Sequence, residues 1–325
     1  MKFSIAVARA LILGLLVAIA DSATAQQAYP SKPIRVIVPA PPGGTNDVLA
    51  RIVGQSLAER FGVQVLIENR AGATFIIGSE ALLKSAPDGY AMMVTSSTHL
   101  LTSLLMPTRY DAVKDFAAVA TIGSSEQVLV LHPSVPANNL KEFIVLAKSR
   151  PGQLNYGSAG KGGIQHLAAE LFSMMAAVKM EHVPYKGGAP LVTDLIAGQV
   201  QLAFANPANV LPYVKTGKLK ALAISGDTRL PALPQMPTFA ETGLPGFDVK
   251  MWFGVLAPVG TPKPAIDKVS TEIGKILAIP NIKEKLFSQG VDPFISTADQ
   301  FGGLMKADMA KFARVVKMAN IKLAN

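Results

Sequence analysis

Apolar positions along this chain switch repeatedly between two spacings. Residues 34–39 are apolar apart from Arg35, the pattern of a strand covered on both faces. Residues 47–61 then set Val48, Leu49, Ile52, Val53 and Leu57 at helical intervals. Residues 63–68 and 91–95 are strand-like again. Residues 76–84 between them are helical and stop at the turn cluster Ala86-Pro87-Asp88-Gly89. Farther on, strands are predicted at 127–131, 154–156, 181–183, 201–204 and 219–224. Helices are predicted at 140–149, 164–176 and 189–197. Regular alternation of strand and helix predicts an α/β fold with mostly parallel sheets.

The pattern changes after residue 230. Pro and Gly crowd residues 231–246, one more strand is predicted at 249–256, and helices dominate to the end (264–277, 281–289, 298–318). A late strand followed by helices suits a chain that leaves a second lobe and returns to finish the first. The crossings are expected near residues 124–128 and 247–251. That gives one lobe from 26–125 plus 250–325 and another from 126–249. No internal repeat is evident as sequence identity.

The first residues read as a secretory leader: Lys2, an apolar run over residues 10–20, and Ala23-Thr24-Ala25 at the small-x-small spacing of a cleavage site after Ala25. The run is about half the ~20 residues that span a bilayer. The remaining 300 of 325 residues exceed the usual size of one core, which supports two lobes. Half the residues are hydrophobic and 16% are charged, which excludes a disordered chain. Cys is absent, which removes thiol catalysis and thiolate metal sites. The net charge of +9 becomes +8 without Lys2, Arg9 and Asp21, and such an excess attracts anions. Nucleic acid is not the expected partner, because Lys and Arg are scattered, with no basic run or interleaved aromatics.

Candidate chemistry sits where predicted strands end and helices begin. Pro41-Pro42-Gly43-Gly44-Thr45-Asn46-Asp47 follows the first strand. Glycine at Gly43 and Gly44 permits close backbone approach. Thr45, Asn46 and Asp47 are capping types, and the amides of the first helical turn form an anion site. Tyr156-Gly157-Ser158-Ala159-Gly160-Lys161-Gly162-Gly163 repeats this logic in the second half, making Ser158, Ala159, Gly160 and Gly163 candidates. Tyr185, after the strand at 181–183, either touches a ligand or packs on its own lobe. Ser96, in the hydroxyl run 95–98, and Asn206 complete the set. All lie beyond carboxyl ends of strands, where open α/β sheets bind ligands.

Enzyme signatures fail. Gly160-Lys161 lacks the Ser/Thr of a phosphate loop, Ser158 lacks the glycine of a nucleophile elbow, and the four histidines have no metal-binding spacing. No cofactor, metal or catalytic residue is expected.

The residues resemble a known family. The run Tyr29 to Pro39, Pro41-Pro42-Gly43-Gly44, residues 47–51, Glu68-Asn69-Arg70, residues 86–90, Asn155-Tyr156-Gly157-Ser158, residues 182–188 and 217–223 are similar to the tripartite tricarboxylate transporter receptors, the Bug (TctC-like) extracytoplasmic solute receptors. The resemblance implies a type II periplasmic binding protein fold, with two lobes and two hinge crossings. It implies a periplasmic monomer that captures a small carboxylate: a di- or tricarboxylate, an amino acid or an aromatic acid. Gly43, Gly44 and the 45–47 turn would grip one end and Ser158, Ala159, Gly160 and Gly163 the other. The implied partners are the small and large membrane subunits of a cation-coupled transporter. A receptor feeding a sensor kinase and a secreted hydrolase are the rival readings. One departure stands out: Ala71-Gly72-Ala73-Thr74-Phe75-Ile76 is bulkier than the glycine-rich stretch usual there. Local packing is the favoured reason; a larger or more aromatic ligand is the alternative.

Overall fold

The computed structural model describes residues 29–226, 228–230, 233–318 and 321. The predicted leader and its cleavage site fall outside the described residues. In chain order the first elements are β1 (Ile34–Val38), α1 (Thr45–Phe61), β2 (Val65–Asn69), α2 (Ile76–Leu83), β3 (Ala91–Ser96), α3 (Thr98–Leu105) and β4 (Phe116–Glu126). Then follow β5 (Val128–Leu131), α4 (Leu140–Ser149), β6 (Asn155–Ser158), α5 (Ile164–Ala176), β7 (Glu181–Pro184), α6 (Gly188–Ile196), β8 (Leu202–Ala205), α7 (Pro207–Lys215) and β9 (Lys220–Ile224). The last are β10 (Lys250–Pro258), α8 (Lys263–Leu277), α9 (Pro280–Ser288), β11 (Asp292–Pro293) and α10 (Ala298–Met318).

These form two lobes, each a sheet with helices on both faces. The sheets are ordered β11-β4-β10-β3-β1-β2 and β7-β6-β8-β5-β9. The sheets correct one expectation: they are mixed, not mostly parallel. β1 runs parallel to β2 and β3, and β6 to β7 and β8, whereas β10 and β5 pair antiparallel with their neighbours. The cause is connectivity. β5 and β10 are the first strands after each passage between sheets, so they enter from the edge where other strands leave.

Alternation along β1 sorts the first core into two faces. Val36 and Val38 pack with Leu49 and Val53 of α1 and with Val269 and Ile273 of α8. Ile37 packs on the other face with Leu82 of α2, Leu101 of α3 and Phe301 of α10. In the second lobe, Phe172, Phe204, Phe239 and Phe247 build an aromatic cluster with ring centroids 4.1 to 6.5 Å apart. Tilted and edge-on contacts dominate it, as ring quadrupoles favour.

The chain passes from β4 to β5 through Gln127 and returns through residues 225–249. The two passages are tied together. Gln127 N donates to Ser225 Oγ at 2.8 Å, Ser225 N donates to Gln127 O at 2.9 Å, and Ser225 Oγ donates to Val249 O at 2.6 Å. This junction fixes which ends of the sheets meet. Lys250 pairs with Glu126 and Phe253 with Ser96, so β3 and β4 end where β10 begins. Val128 pairs with Ala205 and Ile224, so β8 and β9 end where β5 begins. The carboxyl ends of β1, β3, β6 and β8 therefore lie on the junction side of their sheets.

Candidate functional site

The Gly-Gly turn occurs twice, once in each lobe, with the same geometry. In the first lobe Gly43 has φ 81° and Gly44 caps α1 with φ −74° and ψ 162°. In the second, Gly162 has φ 75° and Gly163 caps α5 with φ −84° and ψ 170°. Each cap amide makes the same long turn bond, Gly44 N to Pro41 O and Gly163 N to Gly160 O, both 3.4 Å. Left-handed φ at the first glycine is what a side chain would resist. Neither cap makes a side-chain hydrogen bond, so the first-turn amides of both helices stay uncapped. Capping by Thr45, Asn46 or Asp47 is thereby corrected: the helix starts at Thr45, and glycine holds the cap.

The third helical residue stiffens each turn from behind. Asp47 is buried and accepts from Gly43 N at 2.9 Å, Arg51 Nε at 3.0 Å and Asn69 Nδ2 at 3.0 Å. Burial pushes its carboxyl upward, but the bonds from Arg51, Gly43 and Asn69 outweigh it and hold it below the usual carboxylate range. Its counterpart, His166, accepts through Nδ1 from Gly162 N at 3.1 Å. Gln165 adds a second strut, its Oε1 accepting from Ala159 N at 2.7 Å.

Beneath the second turn lies a group that the sequence reading missed. His166 and His182 stack with centroids 4.0 Å apart, and Tyr156 stacks on His182 at 4.8 Å. Tyr156 donates to Glu170 Oε1 at 2.5 Å, and burial with that carboxylate drives its phenol above the normal range. Burial lowers His166 to about 4, helped by Lys161; burial, stacked His166 and Lys161 lower His182 to about 3. His166 and His182, far apart in sequence, thus meet: parallel pairing sets His182 of β7 beside Tyr156 of β6, and His166 stacks on it. Position 166 at the first turn of a helix opened by glycines was the one available signal.

Ser158 closes β6 and is fully buried. Its Oγ lies 2.6 Å from His182 Nε2, donates to Gly160 O at 3.0 Å and accepts from Gly160 N at 3.3 Å. A serine–histidine pair absent from the sequence reading therefore exists. Among the described residues no group bonds the second nitrogen of His182, and the Ser158 hydroxyl also bonds Gly160 of its own loop.

The remaining candidates divide. Gly43 and Gly44 are exposed, and Ala159, Gly160 and Gly163 are partly so. Ser96 ends β3 at the same edge, and Asn206 caps α7 by accepting from Ala208 N at 2.9 Å. Tyr185 turns onto its own lobe: its ring lies near Gly157, and burial and Asp194 raise its phenol to about 12. Several buried polar atoms at these strand ends have no partner: Asn46 Oδ1, Thr95 Oγ1, Ser97 Oγ, Gln127 Oε1 and Asn206 Nδ2. Buried polar atoms are ordinarily paired, so each of these is a position where water or ligand can bond. A separate cavity of about 560 Å³ lies between α8 and α10 at the opposite end of β4, lined by Lys114, Lys263, Asp267 and Lys306.

The architecture and sequence both have known counterparts. The chain is 36% identical to the protein BugT of Bordetella pertussis over 96% of this chain and 97% of that one. Its fold matches Rhodopseudomonas palustris Rpa4515 with adipate at TM-score 0.84, 32% identity, 90% of this chain and 99% of that one. It matches MatC (Rpa3494) from Rhodopseudomonas palustris with bound malate at TM-score 0.81, 29% identity, 89% of this chain and 100% of that one. With the tripartite tricarboxylate transporter family receptor model also matching residues 49–321, the chain belongs to that family of periplasmic solute-binding receptors.

Proposed function

We propose that this receptor captures a small organic di-acid between its two glycine turns and presents the loaded form to a membrane transporter. The duplicated turn carries the reading. Two helix N-termini, each worth about half a positive charge, lack side-chain caps, and in this reading both face one ligand. Neither turn needs an arginine, because its charge comes from backbone amides. Adipate and malate, the acids of the two solved relatives, both carry a carboxylate at each end and suit such a pair of turns.

Gly43, Gly44, Thr45 and Asn46 take one carboxylate, with Ser96 and its neighbours Thr95 and Ser97 supplying hydroxyls. Ala159, Gly160 and Gly163 take the other, with Asn206 beside them. Asp47 and Ser158 shape the turns from behind. The bodies that move are residues 26–125 with 250–325 and residues 126–249. They close about the Gln127, Ser225 and Val249 junction, a hinge motion of the usual kind. The mature chain begins after Ala25, acts as a periplasmic monomer and docks on the small and large membrane subunits. Catalysis has no part in this role, since Ser158 and His182 are occupied in holding the turn.

Calorimetry with adipate and malate on the wild type and on Gly43→Val tests the reading. Space around a Cβ at Gly43 is open, so the variant folds, while its φ of 81° disfavours valine and shifts the turn. Affinity should fall at least tenfold for whichever acid binds. Unchanged affinity removes the first turn from the site.

A further inference from the structure

The segment joining β2 to α2 is strained where it meets the glycine turn. Ala73, Thr74 and Phe75 take successive left-handed φ values of 43°, 45° and 81°. None is glycine and Thr74 is β-branched, so each resists this conformation. The surroundings hold it in place. Thr102 Oγ1 of α3 donates to Thr74 O at 2.7 Å, and a Cβ at Gly78 would lie 2.5 Å from Pro39 Cβ, so α2 starts against the glycine turn. Asn69, the last residue of β2, donates to both Ala40 O and Asp47 Oδ1 of that turn. Strain persists where surrounding structure enforces it, commonly at ligand-binding edges.

The strain serves to aim Phe75. Ile76 packs on the α2 face of the sheet with Ile37 and Leu82, whereas Phe75, one residue earlier, packs with the α1-face cluster of Val38, Ala40 and Leu49. Successive residues at the start of α2 thus join the cores on opposite faces of the sheet. Phe75 is only half-buried there, on the segment that Gly78 and Asn69 hold against residues 39–47.

We propose that Phe75 is a specificity-determining residue, an apolar wall that makes this receptor favour carboxylates with an apolar body over hydroxylated ones. The proposal rests on the carboxylate reading and adds its selectivity. A half-exposed ring on a segment held against an amide-lined turn gains by covering methylene or aromatic carbon, and leaves a ligand hydroxyl in the same place without a partner. Phe75 thus ranks adipate or phenylacetate above malate.

The test compares wild type with Phe75→Asn, since asparagine accepts left-handed φ well. Calorimetry with adipate, phenylacetate and malate gives the affinity ratios, and thermal melting without ligand gives the structural control. The expected result is a fall of about tenfold in the adipate-to-malate ratio, malate affinity held within threefold, and a melting temperature that stays level or rises as strain is relieved. Equal weakening of both acids, or a ratio that does not move, overturns the proposal and leaves Phe75 as packing. If the wild type binds none of the three acids, the carboxylate reading itself falls and takes this one with it.

Discussion

Mild acid should destabilise this protein through histidines alone. Burial holds His99 and His166 at about 4 and His182 at about 3, against about 6.5 in an unfolded chain. A group whose folded value is depressed binds protons first in the unfolded state. Full stability is therefore present above about pH 6.5 and is lost as pH falls, levelling near 4 for His99 and His166 and near 3 for His182. One pH unit corresponds to about 1.4 kcal/mol for each site, so each contributes a loss of about 2 kcal/mol between pH 6.5 and 5.0. Three sites give an upper bound of about 6 kcal/mol, a large part of a typical 5–15 kcal/mol. Lowered carboxylates such as Asp47 act in another window: their contribution is present above about pH 4 and is lost only below it. Asp292 and Asp308, raised by burial, work in the opposite sense, gaining stability as pH falls through their folded values. His166→Gln keeps an oxygen acceptor for Gly162 N and removes one titration. Urea unfolding at pH 7.5, 6.5, 5.5 and 5.0 should show a steep decline in wild type and a decline smaller by about a third in the variant. Equal slopes for the two proteins, or stability that stays flat to pH 5.0, would refute the reasoning.

Two further substitutions probe the turn and the junction. Asp47→Ala removes the acceptor of three hydrogen bonds, one from Arg51 and one from Gly43 N, and should cost about 2–4 kcal/mol in chemical unfolding while weakening ligand binding in calorimetry. Gly290, at φ 64° between α9 and β11, lies against Asn206 and Ala208 of the other lobe, where a Cβ would collide with Asn206 Oδ1. Gly290→Ala should wedge the lobes apart, seen as a larger radius of gyration in small-angle scattering with ligand present and a weaker affinity.

Much of the fold was legible because helix and strand leave different periods. The turn at Gly43 and Gly44 was legible because paired glycines between a strand and a helix have few structural uses. β4 escaped notice: apart from Phe116, Val119 and Ile122 its residues 116–126 are small or polar, and both faces are covered, so no two-residue alternation marks it. α3 was not predicted: only the hydroxyl run at residues 95–98 was singled out, yet Thr98–Leu105 is helical, with residues 98–102 buried. The antiparallel run of β5 and β10 depends on where the chain crosses between sheets, which no local pattern records. The likeness of the two turns was hidden as well, because Asp47 and His166 do the same work with different chemistry. Both accept a glycine amide four residues earlier, one as a carboxylate and the other as a neutral imidazole.

The account stands on both turns engaging one ligand. Backbone amide shifts of nitrogen-15-labelled protein during an adipate titration measure this directly. Resonances of Thr45, Asn46 and Asp47 and of Ile164, Gln165 and His166 should move together and fit a single dissociation constant. Shifts confined to one turn, or centred on Lys114, Lys263 and Lys306 in the groove between α8 and α10, would contradict it.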